Sequence, residues 1–404
     1  MSTSKSEPRS CFICGTSGRT SGFVEKWPIA GLGEVQVGFR ICSQCGLVLQ
    51  DPAPAPAVLN AHYVRVSTMT VSGSSGDLPA WWRAQVDRQL EFWRVHQPRR
   101  TGKDRPLAVQ IGSSIGYTLS RFREEGYDVL GIEPSADAAR FASDHYGVAT
   151  LVSGVENAAM DPGVRAELVV ATHVLEHLRD PVAALARCRD WMADDGHLLL
   201  EVPVLEAPEH WPNGYFTFEH LQYFSRRTLS QTLHLAGFRV ATEEVLHEGH
   251  NTDSPVIIVL ASLAGSTSDA AISHSACAEE VARASALMEA YLAREPTSWA
   301  KLAERVMSVL DSSKRLAFFG AGIHTSQFLA KAPAVSARVE AIYDSDPGKW
   351  GEEIGPLKVS PPAELPRDSE WLVVISSRGH QDQIYEDIRW IEADHGVRVI
   401  KLYD

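Results

Sequence analysis

The chain has 404 residues, of which 44% are hydrophobic and 22% charged, and its formal net charge is −13. This length predicts two or three domains, each able to bury its own core, and the composition is that of a globular protein. The acidic balance argues against a nucleic-acid partner, because phosphate backbones are bound by basic surfaces. The sequence shows neither a signal-peptide pattern nor 18 consecutive apolar residues, so we expect a cytoplasmic protein with no membrane partner.

Two C-x-x-C pairs stand near the N-terminus: Cys11 with Cys14, and Cys42 with Cys45. A glycine follows each pair, as in the knuckles that hold tetrahedral zinc. Four thiolates leave no open position for catalysis, so the predicted zinc is structural and supports a segment too small to bury a core alone. Redox chemistry at two separate pairs is the alternative.

The next informative stretch is LAVQIGSSIGYTLSRFREEGYDVLGIE, which predicts a strand, a glycine turn, a helix and a strand ending in an acid. This is the first βαβ unit of a nucleotide-binding sheet. Gly112 and Gly116 let a ligand approach the backbone, and Glu133 has the spacing of a carboxylate that binds ribose hydroxyls. Because G-x-G-x-x-G is absent, the pattern suits the S-adenosylmethionine (SAM) site of class I methyltransferases better than a dinucleotide site. A Rossmann-like turn without ligand is the alternative.

Further along, VVATHVLEHLRDP resembles the fourth motif of class I methyltransferases, in which the strand end touches SAM. His173, Glu176 and His177 would lie at i, i+3 and i+4 of a helix, a spacing that can hold a metal. The LEH-x-x-x-P pattern is also a common structural signature that needs no metal. The candidate SAM-binding residues are Gln110, Gly112, Ser113, Gly116, Glu133, Pro134 and His173.

The motif FEHLQYFS resembles the "HEHLSYFS" of the sugar C-methyltransferases, and IGSSIG with VLGIEPS resembles that family's SAM-binding stretch. Gln110 replaces an acid of the family and Ile115 replaces an aspartate. The resemblance implies that His220 is the catalytic base, that Glu219 is its acidic neighbour, and that Tyr63 contacts the substrate. Removing a proton next to a ketone needs such a base, and we expect the carboxylate to raise its basicity. A purely structural histidine before the helix is the alternative.

A second nucleotide-type unit begins at RLAFFGAGIHTSQFL and continues through VEAIYDSDPGKWG. It resembles the C-terminal domain of the same family, which helps to bind the nucleotide part of the substrate. His324, Asp344 and Lys349 are candidate phosphate or ribose contacts, and Arg378 follows a later strand at the edge where ligands bind. Thr325 takes the third glycine position of a dinucleotide fingerprint, and a purely architectural half-sheet is the alternative.

The predicted fold is α/β, with an N-terminal zinc ribbon, a class I SAM-methyltransferase Rossmann-like domain and a C-terminal Rossmann-like domain. The predicted boundaries are 1–78, 79–264, a helical connector at 265–311 with a proline break, and 312–404. The resemblance implies SAM-dependent C-methylation next to the ketone of a nucleotide-linked 4-keto-6-deoxysugar, by a monomer or homodimer. The alternatives are O-, N- or C-methylation of another small metabolite, or an idle nucleotide-binding homologue. Zinc-ribbon methyltransferases that act on ribosomal RNA are disfavoured by the acidic charge.

Overall fold

The computed structural model describes residues 6–29, 33–63, 78–97, 105–247, 254–265, 274–312 and 314–403. Within these stretches the chain forms sheets of four, seven and six strands and one two-stranded ladder. None of the helices found there is both long and apolar enough to cross a membrane.

The N-terminal segment contributes to a small antiparallel sheet and forms a separate two-stranded ladder from its first and fifth strands. Its strands are β1 (Ser6–Glu7), β2 (Arg19–Ile29), β3 (Gly33–Cys42), β4 (Val48–Gln50) and β5 (Ala53–Pro54), followed by the helical residues 56–63 (α1). β2 and β3 form a hairpin, and β4 pairs with β3. The other side of β4 pairs with Gln222–Tyr223, which belongs to the FEHLQYFS motif. The sheet therefore includes a strand from outside the predicted segment 1–78.

The central sheet contains seven strands in one layer. They are β6 (Leu107–Ile111), β7 (Asp128–Glu133), β8 (Thr150–Val152), β9 (Ala166–Thr172), β10 (Met192–Pro203), β12 (Phe238–Leu246) and β13 (Val256–Leu263). The intervening strand, β11 (Gln222–Tyr223), belongs to the N-terminal sheet. Their order is β12-β13-β10-β9-β6-β7-β8. The five strands β10, β9, β6, β7 and β8 are parallel, and β13 is antiparallel to both neighbours. Parallel strands are covered on both faces, which explains the continuous apolar run of β6.

Five helices accompany the central sheet: α2 (Ala80–His96), α3 (Tyr117–Glu124), α4 (Ala136–Tyr146), α5 (Pro181–Trp191) and α6 (Arg226–Leu235). Local sequence signals set several of their ends. The Asp180 side chain accepts a hydrogen bond from the Ala183 amide ahead of Pro181, and Ser225 forms a capping box with Thr228. Such caps satisfy amides that have no partner inside the helix.

The C-terminal unit is a six-stranded sheet of order β16-β17-β15-β14-β18-β19. Its strands are β14 (Arg315–Phe319), β15 (Val339–Tyr343), β16 (Glu353–Ile354), β17 (Leu357–Ser360), β18 (Trp371–Ile375) and β19 (Arg398–Lys401). Its helices are α8 (Ile323–Lys331), α9 (Pro333–Ser336), α10 (Gln381–Ile388) and α11 (Trp390–His395). All pairings are parallel except β16 with β17.

The helical connector differs from the sequence-based expectation of two helices. One helix, α7 (His274–Val309), runs through Pro296 without a break. The Glu295 carboxylate accepts hydrogen bonds from the Gly214 amide at 2.7 Å and the Trp299 indole at 2.6 Å. Because Trp299 is also buried in the C-terminal core, tertiary packing fixes both sides of the proline and outweighs its helix-breaking tendency. The predicted break is wrong.

An aromatic core joins the N-terminal sheet to the segment that carries FEHLQYFS. Phe39 of β3 lies 5.6 Å from Phe216 between ring centroids, and Phe216 lies 4.6 Å from Tyr223. All three side chains are buried in one cluster with Trp27 and Tyr291. This packing fixes the position of His220 and Leu221, the two residues that precede Gln222.

Candidate active site

The turn between β6 and α3 requires glycine at two positions. Gly112 has φ +63°, and a Cβ there would lie 2.5 Å from the Val174 Cγ2 atom. Gly116 has φ +81°, and its Cβ would lie 2.7 Å from the Ala142 Cβ. Any side chain at these positions is therefore both strained and crowded. The turn brings the backbone close to the 173–177 segment, as a SAM-binding turn requires.

The carboxylate at the end of β7 is held by the same turn. Glu133 Oε2 accepts a hydrogen bond from the Ser114 amide and Oε1 accepts one from the Ser135 amide, both at 2.9 Å. Burial raises the pKa of Glu133, and the two backbone hydrogen bonds oppose that shift. Pro134 follows directly at the strand end. The side chain is thus oriented at the edge of the sheet where a ribose would bind.

Two buried polar atoms beside the turn have no hydrogen-bond partner among the described residues. They are the Gln110 side-chain oxygen and the Ser113 hydroxyl. Buried polar atoms normally have partners, so such atoms indicate a ligand or water. The SAM amino and hydroxyl groups could satisfy them, and the residues present therefore fit this cofactor.

His173 lies between two buried carboxylates. Its Nδ1 is 3.1 Å from Glu176 Oε1, and its Nε2 is 3.3 Å from Glu201 Oε1. Burial alone would lower the pKa of His173, but the two carboxylates outweigh burial and raise it to about 9. The Gln85 amide of α2 also donates to Glu201 Oε1 at 3.1 Å. A cationic His173 therefore stands at the end of β9, directly before the Val174 that contacts the turn.

The N-terminal helix α1 brings Tyr63 to FEHLQYFS. The Tyr63 hydroxyl lies 2.7 Å from His177 Nδ1 and donates to the Glu219 carbonyl at 3.3 Å. The preceding residue, His62, bonds through Nε2 to Glu219 Oε1 at 2.5 Å. Burial, then the Glu219 charge, raises the pKa of Tyr63 well above its ordinary value, so its hydroxyl stays protonated. Tyr63 and Glu219, predicted separately, thus lie together.

His220 has a different partner from the one we expected. The Glu219 carboxylate bonds to His62, while the His220 ring lies 5.0 Å from the His177 ring between centroids. Partial enclosure and the neighbouring His177 lower the pKa of His220 to about 4. The charges of Glu176 and Glu219 do raise the pKa of His220, as expected for Glu219, but burial and His177 outweigh them. His220 is neutral at pH 7 and can accept a proton, although it is a weaker base than a free imidazole.

The predicted helix over His173, Glu176 and His177 is also wrong. The segment Leu175–His177 is a single 3-10 turn, so these side chains do not share a helix face. The Leu221 amide donates to the Glu176 carbonyl at 2.7 Å, which brings the turn against FEHLQYFS. Glu176 and His177 therefore converge with His220, and their ligand atoms lie within 4.8 Å of one another.

The four N-terminal cysteines converge as their spacing predicted. Cys11 Sγ lies 3.6 Å from Cys45 Sγ, and Cys14 Sγ lies 3.4 Å from Cys42 Sγ. None is in a disulfide, and all four sulfur atoms lie within 4.8 Å of one another. Tetrahedral zinc with bonds of about 2.3 Å would place sulfur atoms about 3.8 Å apart, so the donor set fits this ion. No such fit exists for two independent redox pairs, because the sulfur contacts cross between the knuckles.

The candidate contacts of the C-terminal unit point inward. Asp344 Oδ2 accepts from Lys349 Nζ at 2.8 Å and from the Ala321 amide at 2.6 Å, while Oδ1 accepts from the Asp346 amide at 2.9 Å. Both Asp344 and Lys349 are buried. The carboxylate that would bind a ribose thus already accepts three hydrogen bonds from its own domain. His324 is likewise engaged, since its ring bonds to the Tyr403 hydroxyl.

A cavity of about 830 Å³ lies where the methyltransferase segment, α7 and the C-terminal sheet meet. Four of its lining side chains are basic or imidazole groups and one is acidic. They are His210, His247, Lys301, Arg378 and Glu209. The cavity therefore presents two cations, Lys301 and Arg378, and one carboxylate, and Arg378 is the one predicted C-terminal residue that lines it.

Two buried or partly buried side chains of this region, His62 and Glu201, are not among the predicted site residues. No motif marks either residue, although His62 precedes the predicted Tyr63 and Glu201 ends the apolar run of β10. A carboxylate at the end of a parallel strand is a usable signal, because ligands bind at that edge of an α/β sheet.

Comparison with known proteins identifies the central segment. Residues 83–243 match the methyltransferase domain family. The chain is 31% identical over 209 residues to C-methyltransferase NovU of Streptomyces niveus. This match covers 50% of this chain and 46% of that protein. It is 34% identical over 95 residues to the ubiquinone biosynthesis O-methyltransferase of Rhodopseudomonas palustris (strain BisA53), covering 23% and 38%. The chain thus spans less than half the length of these relatives.

A solved structure gives a more distant likeness. It is the 1,6-didemethyltoxoflavin-N1-methyltransferase of Burkholderia thailandensis, at 16% identity and a TM-score of 0.41, covering 56% of this chain and 98% of that one. The family match covers the segment that contains the glycine turn, the oriented acid and the parallel sheet. Residues 83–243 thus have a class I α/β fold and match the methyltransferase domain family.

Proposed function

We propose that the protein is a C-methyltransferase that uses SAM to methylate the carbon next to the ketone of a nucleotide-linked 4-keto-6-deoxysugar. The observation that carries the proposal is the junction of FEHLQYFS with the SAM-binding segment. The Leu221 amide bonds to the Glu176 carbonyl, and Val174 of the same turn contacts Gly112. These contacts support the proposal that a neutral His220 lies beside the methyl donor. The similarity to a C-methyltransferase supports the same chemistry.

In this mechanism the chain supplies a base and an oxyanion donor. SAM, held by Gln110, Ser113 and Glu133, would supply an electrophilic methyl group. His220 would remove the proton next to the ketone, and Tyr63 would turn its hydroxyl from the Glu219 carbonyl toward the ketone oxygen, where negative charge develops. Holding the carbon nucleophile in line with the methyl group is the remaining contribution.

Other features extend the proposal. The cavity suits a diphosphate, since the cations Lys301 and Arg378 line it, whereas Asp344 already accepts three hydrogen bonds within its own domain. We therefore place the nucleotide part of the substrate in this cavity. The four cysteines would hold a structural zinc ion. Occupation of all four tetrahedral positions by thiolates would keep that ion out of the chemistry.

Solvent exchange tests the reaction type without relying on turnover. The protein is incubated in D₂O with S-adenosylhomocysteine and a panel of nucleotide-linked 4-keto-6-deoxysugars, and deuterium next to the ketone is followed by NMR. We expect exchange with the wild type and at least a 100-fold slower exchange with His220→Asn, because a positioned base contributes about 10²–10⁴-fold. The exposed His145 provides a matched His145→Asn control. Methylation of a hydroxyl or amine without carbon exchange would refute the proposal and favour an O- or N-methyltransferase.

A further inference from the structure

A second group of metal-ligating side chains lies apart from the cysteines. Glu176, His177 and His220 each present one ligand atom, and these atoms lie within 4.8 Å of one another. His177 Nε2 is 3.9 Å from Glu176 Oε1. Two imidazole nitrogens and one carboxylate oxygen form a set that binds zinc-like divalent ions and keeps a coordination position open.

The hydrogen bonds around His177 leave one ring nitrogen available to a metal. The Tyr63 hydroxyl donates its proton to the Glu219 carbonyl, so its oxygen can accept from His177 Nδ1 at 2.7 Å. The same Nδ1 lies 3.1 Å from the Glu219 carbonyl. A proton on Nδ1 satisfies both contacts and leaves the lone pair on Nε2, the nitrogen that faces Glu176. Metal-binding histidines are typically oriented in this way by a carbonyl on the other nitrogen.

The Glu176 carboxylate supplies an independent indication of a ligand. Its side chain is only 1% exposed. Oε1 is bonded to His173, whereas Oε2 has no hydrogen-bond partner among the described residues. A buried, charged oxygen without a donor is costly. A cation bound by this carboxylate would remove the cost, and the backbone bond from Leu221 already holds Glu176 against the histidine pair.

We propose that Glu176, His177 and His220 bind a divalent ion of the zinc, nickel or cobalt class, and that this ion inhibits methyl transfer. The ion takes the lone pair that His220 needs as a base, so metal and proton compete for one nitrogen. Tetrahedral ligands at about 2.1 Å from the ion lie about 3.4 Å apart, so the cluster must close by up to about 1.4 Å on binding. The inhibition rests on the proposed role of His220, whereas the binding itself does not.

Calorimetric titration with Ni²⁺ tests the binding. The full-length chain is first loaded with zinc so that the four cysteines are occupied, and excess metal is removed. We expect one further Ni²⁺ per chain, and at least a tenfold weaker affinity in Glu176→Gln and in His177→Asn, the scale on which loss of a ligand or its support acts. A far-UV circular dichroism spectrum like that of the wild type shows that these variants are folded. The proposal is overturned if the wild type takes up no further ion or if both variants bind as tightly.

Two control variants separate this site from other histidines. His145→Asn removes an exposed imidazole and should leave the Ni²⁺ affinity unchanged. His210→Asn removes one ring of the His210–His247 stack, whose centroids are 5.3 Å apart. Loss of Ni²⁺ binding in His210→Asn, with retention in His177→Asn, would assign the ion to that stack and refute the proposed site.

Proton exchange measured with and without Ni²⁺ distinguishes the metal site from the base. We expect half-inhibition of exchange at the Ni²⁺ concentration that half-fills the site, and a tenfold higher concentration for Glu176→Gln. If Ni²⁺ binds as proposed but exchange continues, the metal site stands and the assignment of His220 as the base fails. If exchange is inhibited without Ni²⁺ uptake at these residues, the metal site fails and the base assignment stands.

Discussion

Replacing Gly112 by alanine should damage the SAM site through two effects that can be separated. The backbone at Gly112 has φ +63°, and the new Cβ would lie 2.5 Å from Val174 Cγ2. A left-handed conformation costs a non-glycine residue about 1–2 kcal/mol. Forcing an extra methyl group against a packed, β-branched side chain adds about 1–3 kcal/mol. Together, the two effects should lower the free energy of unfolding of the domain by about 2–5 kcal/mol.

Gly126 provides the matched control, because its φ is +90° and an added Cβ there would meet no atom within 4 Å. Gly126→Ala should therefore show only the backbone cost. With about 2–4 °C of melting temperature per kcal/mol for a domain of this size, Gly112→Ala should melt at least about 2 °C below Gly126→Ala. The crowding also moves the turn, so we expect at least tenfold weaker binding of S-adenosylhomocysteine by Gly112→Ala and unchanged binding by Gly126→Ala.

A double-mutant cycle with Val174→Ala tests the physical cause. Removing the Val174 methyl groups should restore about 1–2 kcal/mol to Gly112→Ala, beyond the sum expected for independent changes. The measurement is thermal unfolding of the four variants, with S-adenosylhomocysteine titrations in parallel. Equal stability of Gly112→Ala and Gly126→Ala, or an absence of coupling to Val174, would refute the argument that close packing excludes a side chain here.

Three further predictions concern other parts of the chain. Burial and the nearby Arg378 lower the pKa of His324 to about 4, below the unfolded value of about 6.5, so the unfolded state binds more protons and stability is lost as pH falls from 6.5 towards 4. Between pH 7.5 and 5, the free energy of unfolding of the wild type should fall by about 2 kcal/mol more than that of His324→Gln. The difference is measured as a difference in melting temperature. Asp344→Asn leaves the buried Lys349 amine without its charge partner and should cost about 3–5 kcal/mol, measured by urea unfolding. Cys42→Ser should lose the proposed zinc, measured as metal per chain by atomic absorption, and at least tenfold in turnover with little change in S-adenosylhomocysteine affinity.

Each of these predictions has a control. The buried Cys188 lies in the central core, so Cys188→Ser should retain the metal that Cys42→Ser loses. For His324, a pH dependence of stability identical in wild type and His324→Gln would contradict the argument from burial. For Asp344, Asp346→Asn alters a carboxylate on the same loop that does not pair with the lysine, and an equal loss in both variants would contradict the buried ion pair.

The geometry of the candidate SAM site could largely be predicted because its signals are local. Gly112, Gly116 and Glu133 fall within one βαβ unit, whose glycine turn and terminal acid occur at characteristic spacing. The signal of the two cysteine pairs is also local, because metal coordination imposes a short, regular spacing within each pair. The Cys11–Cys45 contact follows from that chemistry although 34 residues separate the two.

The environment of the proposed base could not be predicted, because it depends on contacts between distant segments. Tyr63 meets His177 across 114 residues, and His62 meets Glu219 across 157. Adjacency in sequence suggested that Glu219 would serve His220, but neighbouring residues in an extended segment point in different directions. The partner of Glu219 was therefore decided by where α1 packs, which no local pattern records.

The N-terminal segment that carries the four cysteines affects the proposed reaction by positioning His220. Arg9, two residues before the first cysteine, donates to the Leu221 carbonyl at 2.8 Å and to the Gln222 side-chain oxygen at 3.1 Å. β4, three residues after Cys45, pairs with β11 directly after the same leucine. His220 is thus anchored on its C-terminal side by the two arms that the four cysteines join. Loss of the proposed zinc would free both arms and displace His220, while the glycine turn and Glu133, which belong to the central sheet, would remain in place. Metal removal should therefore lower turnover far more than cofactor affinity.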